Sequence, residues 1–488
     1  MTPARTTTGR ARLFYITVVT LAVAALVTAS AIPVVGDPAA VAFARGSIRV
    51  VDDAGAPGSV LVSRELFASS PTAVVVAPTA RESERRAAAE AARVNGVPVF
   101  AVDDTNSRTV AAELERLGVE RAVRVGRVPA LPVPVTDDVR LLAGGAATRG
   151  EGTVVLRSAA GDDAIATAEA AHAEVAAVPS PDPRSSGRAV NLVKARPGAP
   201  ILAVGSGFGD PRLLARRVEL ARSLPELPGG GQLMFPGRRV VALYGSPGAP
   251  ELGPLGRQSI SASIRRAKAV AAQYDRLSPV PVVPGFEIIV TVASADPGPG
   301  GNYTSALDVA AVRPWVDAAR KAGVYVTLDL QPGRMDFLDQ AKMYRELLLQ
   351  PHVGLALDPE WRLKPNQVHL QQIGSVSPAE VNRVSTWLAD LVKSRNLPQK
   401  AFVLHQFDAD MLGDRSKIDT SRTELAFLVH ADGHGVPNVK MQTWNRIVAG
   451  LPPRTWLGWK NFYTEDKPMF SPRRTMNVDP VPWFVSYQ

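Results

Sequence analysis

The C-terminal half of the chain alternates short apolar runs with amphipathic stretches, and it does so regularly. Strand-like runs lie at 240–244, 286–293, 324–330, 353–357, 401–406, 424–430, 456–462 and 481–487. Helical periodicity fills intervals at 259–274, 305–322, 336–349, 378–395 and 439–448. One helix carries its own start signal: Ser377 as N-cap, Pro378 at the first helical position and Glu380 in the first turn. Runs that stay apolar, rather than alternating, mean strands covered on both faces, as in parallel sheets. Strand and helix repeated over about 250 residues predict a (β/α)8 barrel of TIM type, with the last two helices short or missing. An open doubly wound sheet is the alternative.

A second pattern precedes it. Strand-like runs at 73–77, 97–102 and 122–125 alternate with helical ones at 81–95 and 107–117. A weaker round follows over 153–156, 164–177, 191–195, 201–204 and 211–223. Residues 45–224 are therefore expected to form a small doubly wound α/β domain. Pro225-Glu-Leu-Pro-Gly-Gly-Gly231 breaks every periodicity, so 225–238 reads as a linker and 239–488 as the barrel. Gly205-Ser-Gly-Phe-Gly209 reads as a tight turn, because no acidic residue closes a second strand at the spacing a nucleotide site needs.

Residues 1–44 form a leader. Arg5, Arg10 and Arg12 precede an apolar run at 13–27, and Ala29-Ser-Ala31 and Ala42-Phe-Ala44 offer cleavage sites. This is the layout of a secretory signal peptide; the apolar character reaching Val35 also suits an uncleaved membrane anchor. Both readings place the rest of the chain outside the cytoplasm, secreted or membrane-anchored at the cell envelope. The absence of cysteine excludes disulfides, thiolate catalysis and a lipidated cysteine. The net charge of +9 is dispersed and no nucleic-acid motif accompanies it, so no nucleic-acid partner is expected. An anionic envelope suits such a surface.

In a parallel barrel the chemistry sits where strands end. Those ends are polar here: Tyr244, Asp329, Asp358 with Glu360 and Trp361, His405 with Gln406, His430 with Asp432, and Trp459 to Tyr463. Glycoside hydrolysis needs one carboxylic acid for the leaving oxygen and a second group for the oxocarbenium-like state. Asp358 and Glu360, two apart on an extended strand, point to one side at roughly 6–7 Å. Such a pair pushes one pKa up. Glu360 is thus expected as the acid and Asp358 as its partner, with Asp329 or Asp432 as alternative nucleophiles or bases. Gln406, Tyr463, His405 and Tyr244 are candidate binders of sugar hydroxyls. Trp361, Trp444 and Trp459 are candidate stacking platforms, with core packing as the other reading. His430-Ala-Asp-Gly-His434, with His405, has metal-ligand spacing and would make a metal-dependent hydrolase or deacetylase. The histidines border loop glycines, and the primary expectation has no metal and no cofactor.

Two resemblances accompany these residues. Gly96 to Val102, Glu113 to Val119 and Val123 to Gly126 resemble the type-2 cell-wall-binding repeat of Gram-positive surface proteins, with a looser copy ending at Ala199 to Gly205. The family's Arg-Tyr opening and Phe-Pro-Asp-Ala signature are missing. The likeness implies attachment to wall polymer. Asp358-Pro-Glu360 resembles the end of the D-x-x-D-x-D-x-E motif of chitinase-like glycosidases, with Ala356 in place of an earlier aspartate. That likeness implies Glu360 as acid and Asp358 as the group orienting a substrate acetamide, and the departure removes part of the substrate-assisted machinery. The expected protein is an exported, envelope-associated glycoside hydrolase acting on a cell-wall or extracellular polysaccharide. The alternatives are a non-catalytic polysaccharide-binding protein and the metal-dependent hydrolase.

Overall fold

The protein is described by a computed structural model covering residues 42–51, 56–158 and 162–488. The apolar run of the leader lies outside the described residues. Among the described residues no helix is long and apolar enough to cross a membrane.

Eight parallel strands close into a barrel. In chain order they are β1 (Arg239–Gly245), β2 (Val282–Ala293), β3 (Tyr325–Leu330), β4 (Val353–Leu357), β5 (Lys400–Gln406), β6 (Leu425–Ala431), β7 (Trp456–Asn461) and β8 (Phe484–Tyr487). β1 pairs in parallel with both β2 and β8, which seals the ring. Helices Ile260–Ala272, Val309–Ala322, Pro378–Ser394 and Pro437–Val448 lie between strands, and the helical stretch after β3 is split into Phe337–Met343 and Arg345–Leu348. The last round holds only Pro472–Met476. Each strand falls within a few residues of the apolar run that predicts it.

The inside of the barrel has two zones. Parallel partners such as Tyr244 and Glu287, or His405 and His430, share a face, so alternate residues fill the interior in layers. The lower zone is apolar: Val240, Val283, Tyr325, Ala401, Ala426 and Phe484 pack against Met234 and Phe235. The 225–238 segment therefore does more than connect. Its Met234 and Phe235 form the floor of the barrel, and the buried Arg238 guanidinium donates to the carbonyls of Pro228, Gly230 and Leu233. The upper zone is polar and holds the candidate site.

Residues before 225 are expected in one doubly wound domain; the structure divides them between two four-stranded parallel sheets. One runs Val99–Ala101, Thr72–Val76, Arg121–Val125, Val135–Thr136; the other runs Glu174–Val178, Val154–Ser158, Ile201–Val204, Ile48–Val51. The two share an internal order, with the earliest strand of the round flanked by the next two. The stretch 164–177, expected as one helix, breaks into helix Asp162–Ala170 and strand Glu174–Val178, and His172 at φ 62° makes the turn. Thr167 ties the units, its hydroxyl donating to the Val99 carbonyl at 2.6 Å and accepting from the Val99 amide at 3.0 Å. The Gly205–Gly209 turn leads into helix Pro211–Ser223, whose N-terminus is capped by Asp210 accepting from the Leu213 amide at 2.8 Å. That carboxylate occupies the position an anion would take.

Candidate active site

The polar zone begins where the strands run out of apolar residues. Tyr244, the penultimate residue of β1, donates its hydroxyl to Asp329 Oδ2 of β3 at 2.6 Å. β4 stops at Leu357, and Asp358 then caps a 3-10 turn, Pro359–Trp361, accepting from the Glu360 amide at 3.3 Å. This corrects the expectation of two carboxylates side by side on an extended strand. The proline turns the chain, so Asp358 is buried and Glu360 is lifted to the mouth, half-buried. β5 supplies His405, β6 supplies His430 with Asp432 just past its end, and β7 supplies Lys460. Lys460 Nζ lies 3.6 Å from the centre of the Tyr244 ring.

His405 is the hub. Its Nδ1 is 3.1 Å from Asp432 Oδ2 and its Nε2 is 3.1 Å from Glu287 Oε1, with Asp329 Oδ1 at 3.9 Å. Both nitrogens facing carboxylates makes this ring an imidazolium. Burial opposes that charge, but Glu287, Asp329 and Asp432 hold its pKa well above the usual histidine value. Burial likewise opposes charge on Glu287, yet His430 and His405 bring its carboxyl down to about 2. His430 itself is pushed down to about 4 by burial, so at neutral pH it is His405 that keeps Glu287 ionised. Ser486 Oγ sits 3.2 Å from His430 Nε2.

The remaining acids diverge. Burial raises Asp329 to about 6, with the His405 charge working against it. Burial pushes Asp358 well above its ordinary value, with the His405 charge working against it. Glu360 rises to about 7, first through burial and then through the negative charge of Asp432. Asp432 goes the other way: burial would raise it, but its hydrogen bond with His405 leaves it below the ordinary value. Above this network opens a cavity of about 430 Å³ lined by Glu360, Asp432, Asp358, Trp361, Tyr244 and Lys460, among others. Asp432 Oδ1 has no hydrogen-bond partner among the described residues.

The structure brings Tyr244, Asp329, Asp358, Glu360, Trp361, His405 and Asp432 together in the upper zone of the barrel, with Asp329 and His405 beneath the cavity the others line. Other candidates lie elsewhere. Gln406 is buried outside the ring, donating to the Asp408 and Ala409 carbonyls at 3.0 and 3.2 Å and accepting from Arg415 at 3.1 Å. Trp459 is buried edge-on against Trp444, 5.4 Å between ring centres, and its indole donates to Asn461 Oδ1 at 2.8 Å. Tyr463 packs on Tyr487 and lies beneath Arg266. None of these three lines the cavity. His434 does line it, but its ring packs on Phe462, and the His430–Asp432–His434 set does not converge on one point. Two buried polar residues of this zone, Glu287 and Ser486, are not among the candidates that the sequence singles out. Glu287 lies inside an apolar run rather than after one, and a lone acid within Phe286-Glu-Ile-Ile-Val290 was the available signal.

No family model matches the chain. No curated protein matches it either. Among solved structures, a glycoside hydrolase family 6 enzyme from Coprinopsis cinerea is similar, at 12% identity and a TM-score of 0.21, over 50% of this chain. The match spans 63% of that enzyme's length. A likeness of this size carries no argument about the site. The resemblance of residues 96–126 to cell-wall-binding repeats gains no support from any of these comparisons.

Proposed function

We propose that the barrel is a glycoside hydrolase acting outside the cytoplasm on a cell-envelope or extracellular polysaccharide. One observation carries this reading: Glu360 and Asp432 face the same cavity from different surroundings. Glu360 sits in a poorly solvated turn and keeps its proton; Asp432 is held by His405 and stays ionised. Two carboxyl groups driven apart in this way divide the roles of acid and base or nucleophile. Glu360 gives its proton to the glycosidic oxygen as the bond to the anomeric carbon breaks. Asp432, whose Oδ1 has no hydrogen-bond partner among the described residues, either takes a proton from the attacking water or attacks the anomeric carbon itself. Trp361 at the cavity edge offers a face for a sugar ring. The two N-terminal sheets and the leader are proposed to keep the barrel at the envelope.

The role of Asp358 differs from the one implied by the chitinase-like motif. It is buried and caps the turn that carries Glu360, so we assign it a positioning role at the base of the cavity it lines. The test compares binding with turnover. Full-length protein and its Glu360→Gln variant are mixed with fluorescent envelope and extracellular oligosaccharides. The expected result is retained binding in both and chain shortening only in the wild type. Binding without shortening in either protein would establish the non-catalytic alternative.

A further inference from the structure

Beneath the proposed catalytic pair lies a group of buried atoms that hydrogen bonding alone leaves poorly satisfied. Glu287, His405 and His430 each present one donor atom, all within 4.8 Å of one another. Glu287 Oε1 is 3.1 Å from His405 Nε2 and 3.8 Å from His430 Nδ1, while Asp329 Oδ1 is 3.9 Å from His405 Nε2. His430 Nδ1, Asp329 Oδ1 and Glu287 Oε2 have no hydrogen-bond partner among the described residues, and all three side chains are fully buried. Each such atom costs on the order of 1–3 kcal/mol if nothing meets it. Ligands of a four-coordinate zinc ion, with bonds of about 2.0–2.2 Å, stand roughly 3.4 Å apart. The observed separations bracket that spacing.

From this geometry we infer a divalent-metal site of zinc type formed by Glu287, His405 and His430, in which the ion takes the place of the proton that His405 Nε2 otherwise carries toward Glu287. The outer contacts fit it independently. Asp432 holds His405 Nδ1 at 3.1 Å, and Ser486 holds His430 Nε2 at 3.2 Å. A ligating histidine is ordinarily oriented in this way, by a hydrogen bond on its second nitrogen. Gly458 makes room for it: a Cβ there would stand 2.6 Å from His430 Cδ2. Two imidazoles and one carboxylate select zinc-like ions over magnesium, which keeps several waters and all-oxygen ligands. The three ligands come from β2, β5 and β6 and lie below the cavity, so the ion would cross-link the barrel and support Asp432 through His405. This goes beyond the glycosidase reading and does not depend on it.

The experiment needs no glycan. Full-length protein is stripped with chelator, dialysed, and titrated separately with Zn²⁺ and Mg²⁺ by calorimetry, with bound metal counted by elemental mass spectrometry. The expected result is one Zn²⁺ per chain, no Mg²⁺ binding, and a melting temperature raised by a few degrees with Zn²⁺. Glu287→Gln should abolish binding, Ser486→Ala should weaken it by about tenfold to a hundredfold, and His434→Ala should leave it unchanged. Absence of a stoichiometric zinc site in the wild type overturns the inference, as does unchanged affinity in a folded Glu287→Gln. If circular dichroism shows Glu287→Gln unfolded, Ser486→Ala decides, and unchanged affinity there overturns it.

Discussion

Glu360 is the proposed general acid, and its proton is open to measurement. A general acid must be protonated to work, so activity is expected to fall as pH rises through about 7, where Glu360 ionises. Glu360→Gln cannot donate a proton and should lose about 10²–10⁴ in turnover. A variant whose rate against pH matches the wild type would remove Glu360 from that role. The same carboxyl has a consequence for stability. Its ordinary value is 4.5 and its folded value is about 7, so the unfolded chain ionises first as pH rises. Its stabilising share is complete below about 4.5 and gone above about 7. Glu360→Gln should therefore melt higher than the wild type at pH 8, by about 2 kcal/mol after allowing for partial exposure, and little differently at pH 4. Equal shifts at both pH values would show that the carboxyl is not desolvated.

At the scale of elements, the barrel was legible because its strands are covered on both faces and read as uninterrupted apolar runs. The site was legible only in part. Residues just past an apolar run, such as Asp358, Glu360 and Asp432, announce themselves, and so does His405 at the end of β5. Glu287 does not, because β2 runs 12 residues and the acid lies in its middle. Direction was the other gap. Trp459 and Lys460 are adjacent on β7 and point to opposite sides of the wall, and apolar runs give no register to tell inside from outside. Once that register is known, Trp459 is a packing residue: Trp459→Ala should cost about 3–5 kcal/mol in denaturant unfolding and leave glycan affinity unchanged. A loss of affinity in the folded variant would return it to the site. Gly458→Ala should cost about 1–3 kcal/mol, because its methyl meets the His430 ring with little space to give.

Across the whole molecule, an apolar floor, a charged core and an open mouth are stacked along one barrel axis. The floor is built partly by the 225–238 segment, so the Pro- and Gly-rich stretch expected as a linker also belongs to the barrel's packing. This arrangement is proposed to cleave a glycosidic bond with water. The direct measurement is incubation of the full-length protein with envelope and extracellular polysaccharides in H₂¹⁸O, followed by mass spectrometry of the released ends. The wild type is expected to leave ¹⁸O at the new reducing end, and Glu360→Gln or Asp432→Asn to leave none. Release that persists undiminished in both variants, or no ¹⁸O-labelled end from any glycan the protein binds, would contradict it.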